Sequence, residues 1–391
     1  MPHRTQIDPF TPRPTTARLA PLGPEERNEA QRALLASRPD YNIYKTLTHH
    51  LDFVRAFGSL AAFTLQGSSL PPREREMMVL RMGWLCQSEY EWVQHARIAT
   101  SGTGLSDADV RRIAQGPNAA GWCDFDAAIL RMVDELRYDA LVSDTTWLAL
   151  RARYSEQQML DALVTAGLYL FVSMILNSLG VQLDPGLQDR LPRDLPLPAL
   201  AARPLAQRLA KPRIKALTGA EMTLEQHELA KPLAHNDVVP NLYATMANHP
   251  KLYGPYVAFN NYVQGNLHLP PKARELLILR TLWNMRTENA WAHQVQAAKA
   301  AGVSDLEAAR TTVGPSANGW SDEHAALLRA ADELHRETFI SDATWQTLRK
   351  YYDIKQMIDI VCTVGGYAMS GLVINSLGIH LEPDYPPMPE N

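Results

Sequence analysis

Cysteine is nearly missing from this chain of 391 residues: Cys86, Cys123 and Cys362 are the whole complement. They stand far apart and form no CxxC pair, which excludes a disulfide framework and fits a reducing, cytoplasmic setting. No long Lys/Arg run occurs, and a formal net charge of -4 leaves no basic footprint for a nucleic acid. The opening MPHRTQIDPFTPRP lacks the apolar core of a signal peptide and reads as a loose arm. HExxH is absent, and no G-x-S-x-G elbow surrounds Ser88, which removes two common hydrolase designs. Nothing alternates polar and apolar for a useful length, so strands are not expected.

What is present is a duplicated helical pattern. A hydrophobic share of 46% with 20% charged residues marks a globular chain, and the length suggests two domains. NIYKTLTHH from Asn42 is answered by NLYATMANH from Asn241, and LPPREREMMVLRMGW from Leu70 by LPPKARELLILRTLW from Leu269. DELRYDALVSDTTW from Asp134 is answered by DELHRETFISDATW from Asp332, and ILNSLGVQLDP from Ile175 by VINSLGIHLEP from Val373. The offset holds at 198 or 199, so one ancestral domain is used twice. We place the copies at 15–190 and 210–385, joined by a Pro-rich, semi-rigid linker at 184–212 and followed by a short Pro-rich tail.

The periodicity within each copy is helical. Pro71-Pro72 and Pro270-Pro271 suit helix starts, where a missing N–H is harmless. Ser106 with Asp109, Ser304 with Glu307, and the SDTTW and SDATW segments are capping signals. The class expected is all-α, each copy a bundle of about six to eight helices. The stretches 162–183 and 360–381 are long enough to span a bilayer. Their Thr, Ser and Asn residues and the lack of flanking basic clusters read instead as central core helices, with no membrane partner.

One group of side chains has the makings of chemistry. Glu91 and His95 are four apart in SEYEWVQHARIA and share a helix face. Glu76 sits on the preceding helix, where a hairpin would bring it against the imidazole. A carboxylate beside a His holds its tautomer and raises its basicity, equipping it to move protons near neutral pH. Two structural alternatives compete: Ser88 through Glu91 is itself a capping box, and Glu76 near a helix start favours the macrodipole. A metal at Glu91 and His95 would need more ligands, for which the His49-His50 pair is the only nearby source; no metal is expected. Trp84, Trp92 and Met82 would wall a pocket or fill the core.

LPPREREMMVLRMGW, SEYEWVQHARIA, SDADV, DEL, SDTTW and NSLGVQLDP together resemble the carboxymuconolactone decarboxylase family, over nearly all of both copies. The resemblance implies two tandem AhpD-like helical bundle domains, the fold shared with alkylhydroperoxidase D. The peroxidase branch of that family carries CxxCxxxH with a Glu upstream. Counting back from His95, its cysteine positions fall on Ser88 and Glu91 and its Glu on Glu76, with Tyr90 between the cysteines. The chain thus keeps the Glu and His and lacks both thiols, and Cys86 is misplaced, so disulfide-cycled peroxide reduction is not expected.

What remains resembles the decarboxylase branch, which needs no metal or organic cofactor. It implies a cofactor-independent lyase or isomerase acting on a small carbonyl or lactone compound. His95 is the implied acid/base, with Glu76 to orient it and Glu91 beside it; Tyr90, Ser88 and Trp84 are the implied substrate contacts. The alternatives are a non-catalytic binding or scaffold protein of the same fold and a metal-dependent enzyme. In the second copy Glu275 matches Glu76 and Trp291 matches Trp92, which sets Gln294 opposite His95 and turns His293 off that face. The second copy is therefore expected to be degenerate, standing in for the second subunit of an oligomer. Family members of one domain form trimers or hexamers, so a homo-oligomer is also expected.

Overall fold

The computed structural model of the protein describes residues 13–188, 191–198, 208–234, 239–265, 267–380 and 388. Most of the N-terminal arm, the middle of the Pro-rich linker and nearly all of the tail lie outside the described residues.

The first repeat contributes α1 (Glu29–Ala36), α2 (Asn42–Leu47), α3 (Leu51–Ala62), α4 (Pro72–Leu85), α5 (Glu89–Gly102), α6 (Asp107–Gln115), α7 (Asp124–Asp139), α8 (Asp144–Arg151) and α9 (Glu156–Leu179). The second contributes α10 (Leu224–Ala230), α11 (Asn241–Met246), α12 (Pro250–Gly265), α13 (Pro271–Met285), α14 (Glu288–Ala300), α15 (Asp305–Val313), α16 (Asp322–Glu337), α17 (Asp342–Leu348) and α18 (Ile354–Leu377). Short helices at the start of each copy carry the number past the expected six to eight. No strand occurs among the described residues. Pro72 and Pro271 open α4 and α13, and Ser106, Ser304, Ser143 and Ser341 accept from backbone N–H groups at the starts of α6, α15, α8 and α17. Local chemistry thus sets where these helices begin.

α4 and α13 lie at the heart of their repeats, each packed against the helices that follow it and against α9 or α18. Helices α9 and α18 have the length and apolarity to cross a membrane, but their apolar windows are wholly buried inside the protein. They pack on each other as the spine of the molecule. A Cβ at Gly167 would come 2.7 Å from Met369 Cγ, and one at Gly365 would run into the Phe171 ring. Met369 and Phe171 are themselves equivalent positions, so the two repeats face each other across a pseudo-twofold axis. Gly365→Ala should therefore cost about 1–3 kcal/mol by overpacking this crossing; a urea melt indistinguishable from wild type would show that the crossing is not tight.

The same symmetry orders the polar contacts between repeats. Arg18 bonds the carbonyls of Ser178 and Ile340, while Arg213 bonds those of Ser376 and Val142. His50 Nε2 meets Asp359 Oδ1 at 2.9 Å, and His249 Nε2 lies 3.0 Å from Asp161 Oδ1. Part of the linker is docked: Trp84 Nε1 donates to the Pro192 carbonyl, and Arg208 bonds Asp139 O and Met285 O.

Candidate active site

Glu76, Glu91 and His95 come together where α4 packs on α5. Gln87, in the left-handed region at φ 51°, makes the reversal between the two helices. His95 Nδ1 is 2.6 Å from Glu76 Oε2, and Nε2 is 2.9 Å from Glu91 Oε1. The imidazole is thus bonded at both nitrogens, and its residue is only 7% exposed. Arg75 Nε reaches the other Glu76 oxygen, Oε1, at 3.3 Å. Burial alone would push the imidazolium down, but the charges of Glu76 and Glu91, with hydrogen bonds to both, outweigh it and raise the group to about 10.

The competing structural roles fall away. Ser88 occupies the N-cap position of α5 but makes no side-chain cap bond, so Glu91 is not half of a capping box; its carboxylate goes to His95. Glu76 is fully buried, away from the solvent-screened helix end where a dipole role would place it. Glu76 and Glu91 meet opposite nitrogens of one ring, an arrangement that holds a proton on the imidazole. The His49-His50 pair does not join it: His49 Nε2 bonds Ala20 O, and His50 faces the second repeat.

Two implied substrate contacts, Tyr90 and Trp84, need correction. Tyr90 is committed elsewhere, its hydroxyl donating to Asp184 Oδ2 at 2.8 Å and accepting from Ile43 N. One helix step rotates it about 100° from Glu91. Trp84 is fully buried with Arg81 over its ring at 4.9 Å, a core and linker-docking role. Ser88 is buried, and its Oγ has no hydrogen-bond partner among the described residues. Trp92 and Met82 are also core residues.

The sequence reading missed Tyr169 and Tyr44. Tyr169 on α9 sets its ring edge-on to His95 with centroids 4.9 Å apart. Burial, with Glu91 and Glu76 adding to it, pushes its phenol well above the usual range. Tyr44 is raised in the same way by burial, opposed by Arg38 and helped by Glu91. The signal was available for Tyr169, since its equivalent Tyr367 is also a tyrosine.

In the second repeat Gln294 takes the place of His95. Its amide donates to Glu275 Oε2, and its carbonyl accepts from the Tyr367 hydroxyl at 3.1 Å. The ungapped pairing of the repeats agrees with this contact, since the Gln294 side chain meets Glu275 as His95 meets Glu76. Burial raises the Glu275 carboxyl.

The sequence profile of the carboxymuconolactone decarboxylase family matches residues 52–134 and 250–333. Each repeat thus carries a match to this family. Among solved structures, a variant of the debrominase Bmp8 in complex with 2,3,4-tribromopyrrole is similar at 12% identity and a TM-score of 0.39, over 44% of this chain and 94% of that one. A search of curated proteins finds no match. The two family matches cover α4, α5 and α13, α14, the helices that carry Glu76, Glu91 and His95 and their counterparts. All three cysteines are unpaired, and burial pushes the Cys86 thiol up, away from thiolate chemistry.

The clamped His95 has a consequence for stability. Its folded value of about 10 lies above the ordinary 6.5, so the stabilisation is complete below the unfolded value and is lost as pH rises through about 10. Unfolding free energy should fall across that interval by on the order of a few kcal/mol. Urea melts from pH 6 upward test this, and a His95→Gln variant should lack the slope; equal slopes in both proteins would contradict it.

Proposed function

We propose that the first repeat is a cofactor-independent acid/base site, acting as a lyase or isomerase on a small carbonyl or lactone compound. The family matches support a catalytic role. The observation that carries the reading is the imidazole bonded by carboxylates at both nitrogens, since such a ring is protonated at neutral pH and poised as an acid.

A substrate carbonyl oxygen would displace Glu91 from Nε2 and accept the Nε2 proton. Glu76, still bonded to Nδ1–H, balances the charge while the proton moves. For isomerisation, the freed Glu91 carboxylate removes the proton at the carbon next to the carbonyl, the C–H pair becomes the enol double bond, and reprotonation at another carbon completes the change. For decarboxylation, the C–C pair enters the same enol as carbon dioxide leaves; a solvent proton then adds to carbon as the enol O–H gives its proton back to His95. Both courses need the same electron sink and the same acid, and only isomerisation also needs Glu91 as base. General acid/base catalysis of this kind contributes roughly 10²–10⁴-fold, the remainder coming from positioning. The second repeat, with Gln294 in place of the imidazole, is a structural partner in this reading. The unpaired cysteines favour a cytoplasmic setting, and further assembly into a homo-oligomer belongs to the same proposal.

Metabolite profiles of the native host carrying wild type or His95→Ala provide the test. A small carbonyl or lactone compound should accumulate in the variant. Identical profiles would overturn catalysis at this site.

A further inference from the structure

We propose that the junction between the repeats is a divalent transition-metal site, built from His50 of the first repeat and His268 and Asp359 of the second. One nitrogen of each imidazole and one Asp359 oxygen lie within 4.8 Å of one another. His50 Nε2 is 2.9 Å from Asp359 Oδ1, and His268 Nδ1 is 3.3 Å from Oδ2. The Tyr262 hydroxyl is 3.3 Å from His50 Nε2 and 3.2 Å from Asp359 Oδ1. His50 and Asp359 are buried, whereas the His268 side chain is 42% exposed, so water has one side from which to complete the coordination. Two imidazoles and a carboxylate suit zinc, iron(II), cobalt(II) or nickel(II) rather than the all-oxygen ions calcium and magnesium.

The internal repeat supplies the control. Across the pseudo-twofold axis, His249 Nε2 lies 3.0 Å from Asp161 Oδ1 without a directed hydrogen bond, so a His–Asp contact joins the repeats in both places. The surrounding positions differ. Ser69 stands for His268, Phe63 for Tyr262, and Lys251 for Asp52. At that mate, Asp161 Oδ2 accepts from Ser68 Oγ, Ser69 Oγ and Ser69 N, and Phe63 lays its ring against His249. At the His50 site a hydroxyl, a phenyl ring and an ammonium have become an imidazole, a phenol and a carboxylate. All three changes add donors or negative charge at one point. Asp52 Oδ2 is 3.9 Å from His268 Nε2, the place where a carboxylate orients a ligand imidazole.

Without the ion, His50 Nε2 carries a proton donated to Asp359, because Nδ1 faces the Phe53 N–H at 3.5 Å. That contact is at the outer limit of a hydrogen bond. Loading the ion would replace the His50–Asp359 hydrogen bond and move the proton to Nδ1, so the ring would also have to turn from the Phe53 N–H.

The test uses the full chain, stripped with a chelator and titrated with Co²⁺ and Zn²⁺ alone. We expect one equivalent of ion per chain, a cobalt d–d absorption band and a higher melting temperature on loading. His268→Ser installs the residue that the mate site already carries, so the fold should survive. Its affinity should drop by more than the roughly 10–100-fold that loss of a group hydrogen-bonded to a ligand costs. Asp52→Asn, at an exposed position, should weaken binding less. Failure of the wild-type protein to bind a stoichiometric ion would overturn the proposal, as would unchanged affinity in folded His268→Ser. Turnover at His95 is not part of either readout, so the result stands apart from the proposed reaction.

Discussion

His95→Gln should remove roughly 10²–10⁴-fold of turnover while leaving the fold in place. The second repeat shows why the substitution is structurally mild. Gln294 sits at the same position, donating to Glu275 and accepting from Tyr367. In the first repeat a glutamine would bond Glu76 and Tyr169 in the same manner. It would not replace the proton that His95 holds between Glu76 and Glu91, because an amide has no accessible protonation change near neutral pH. Comparison of turnover, circular dichroism and melting for the two proteins separates chemistry from stability. Retained turnover would mean that the imidazole is only a packing group. With His95 raised to about 10, the wild-type rate should hold through neutral pH and fall on the alkaline side as the donor proton is lost. A rate that instead rose between pH 6 and 8 would assign His95 to the base role.

Arg81→Met should be the most damaging single change to stability, at about 3–5 kcal/mol. Arg81 is 1% exposed and bonds both Asp134 oxygens, at 2.6 and 2.9 Å. Its remaining nitrogen caps α6 through the carbonyls of Ile113 and Ala114, at 3.1 and 2.7 Å. Methionine fills the volume but leaves a carboxylate and two helix-end carbonyls without partners, and that loss exceeds the gain in apolar burial. Space around the guanidinium is tight as well: Gly116, at φ 95°, would bring a Cβ to 2.8 Å of Nη2. Urea denaturation gives the number, and a loss under about 1 kcal/mol would show that the pair contributes no more than a surface salt bridge. Arg280 with Asp332 repeats the motif in the second half, where the same substitution should have a similar effect.

Much of the architecture was readable without coordinates, because its causes are local. Proline pairs start α4 and α13, serines cap α6, α8, α15 and α17, and the repeat offset assigns each helix its twin. The Glu91–His95 contact is also local, since helix geometry puts residues four apart on one face. Glu76 needed one added assumption, that α4 and α5 reverse sharply, and the left-handed Gln87 supplies the reversal.

The misplaced residues share a different cause. Tyr90 and Trp84 lie next to the active face in sequence, but rotation along the helix and competition from distant partners took them elsewhere. Tyr90 went to Asp184, a residue 94 positions away, and Trp84 to the linker carbonyl of Pro192. Periodicity carries no information about such partners.

From the order of residues alone came the all-α class, the duplication and the Glu–His pairing, and the resemblance to a family added the loss of the thiols. Helix class and pairing depend on spacing within one or two helices, and the duplication on an offset kept along the chain. Tertiary packing decided that Glu91 serves His95 and not Ser88, that Tyr169 faces the imidazole, and that Gln294 closes the second site. It also brought His50 to His268 and Asp359 from more than two hundred residues away. The contacts within a repeat form only when its helices pack, and the His50 group only when the two repeats meet across the pseudo-twofold axis; neither meeting belongs to any one segment of the chain.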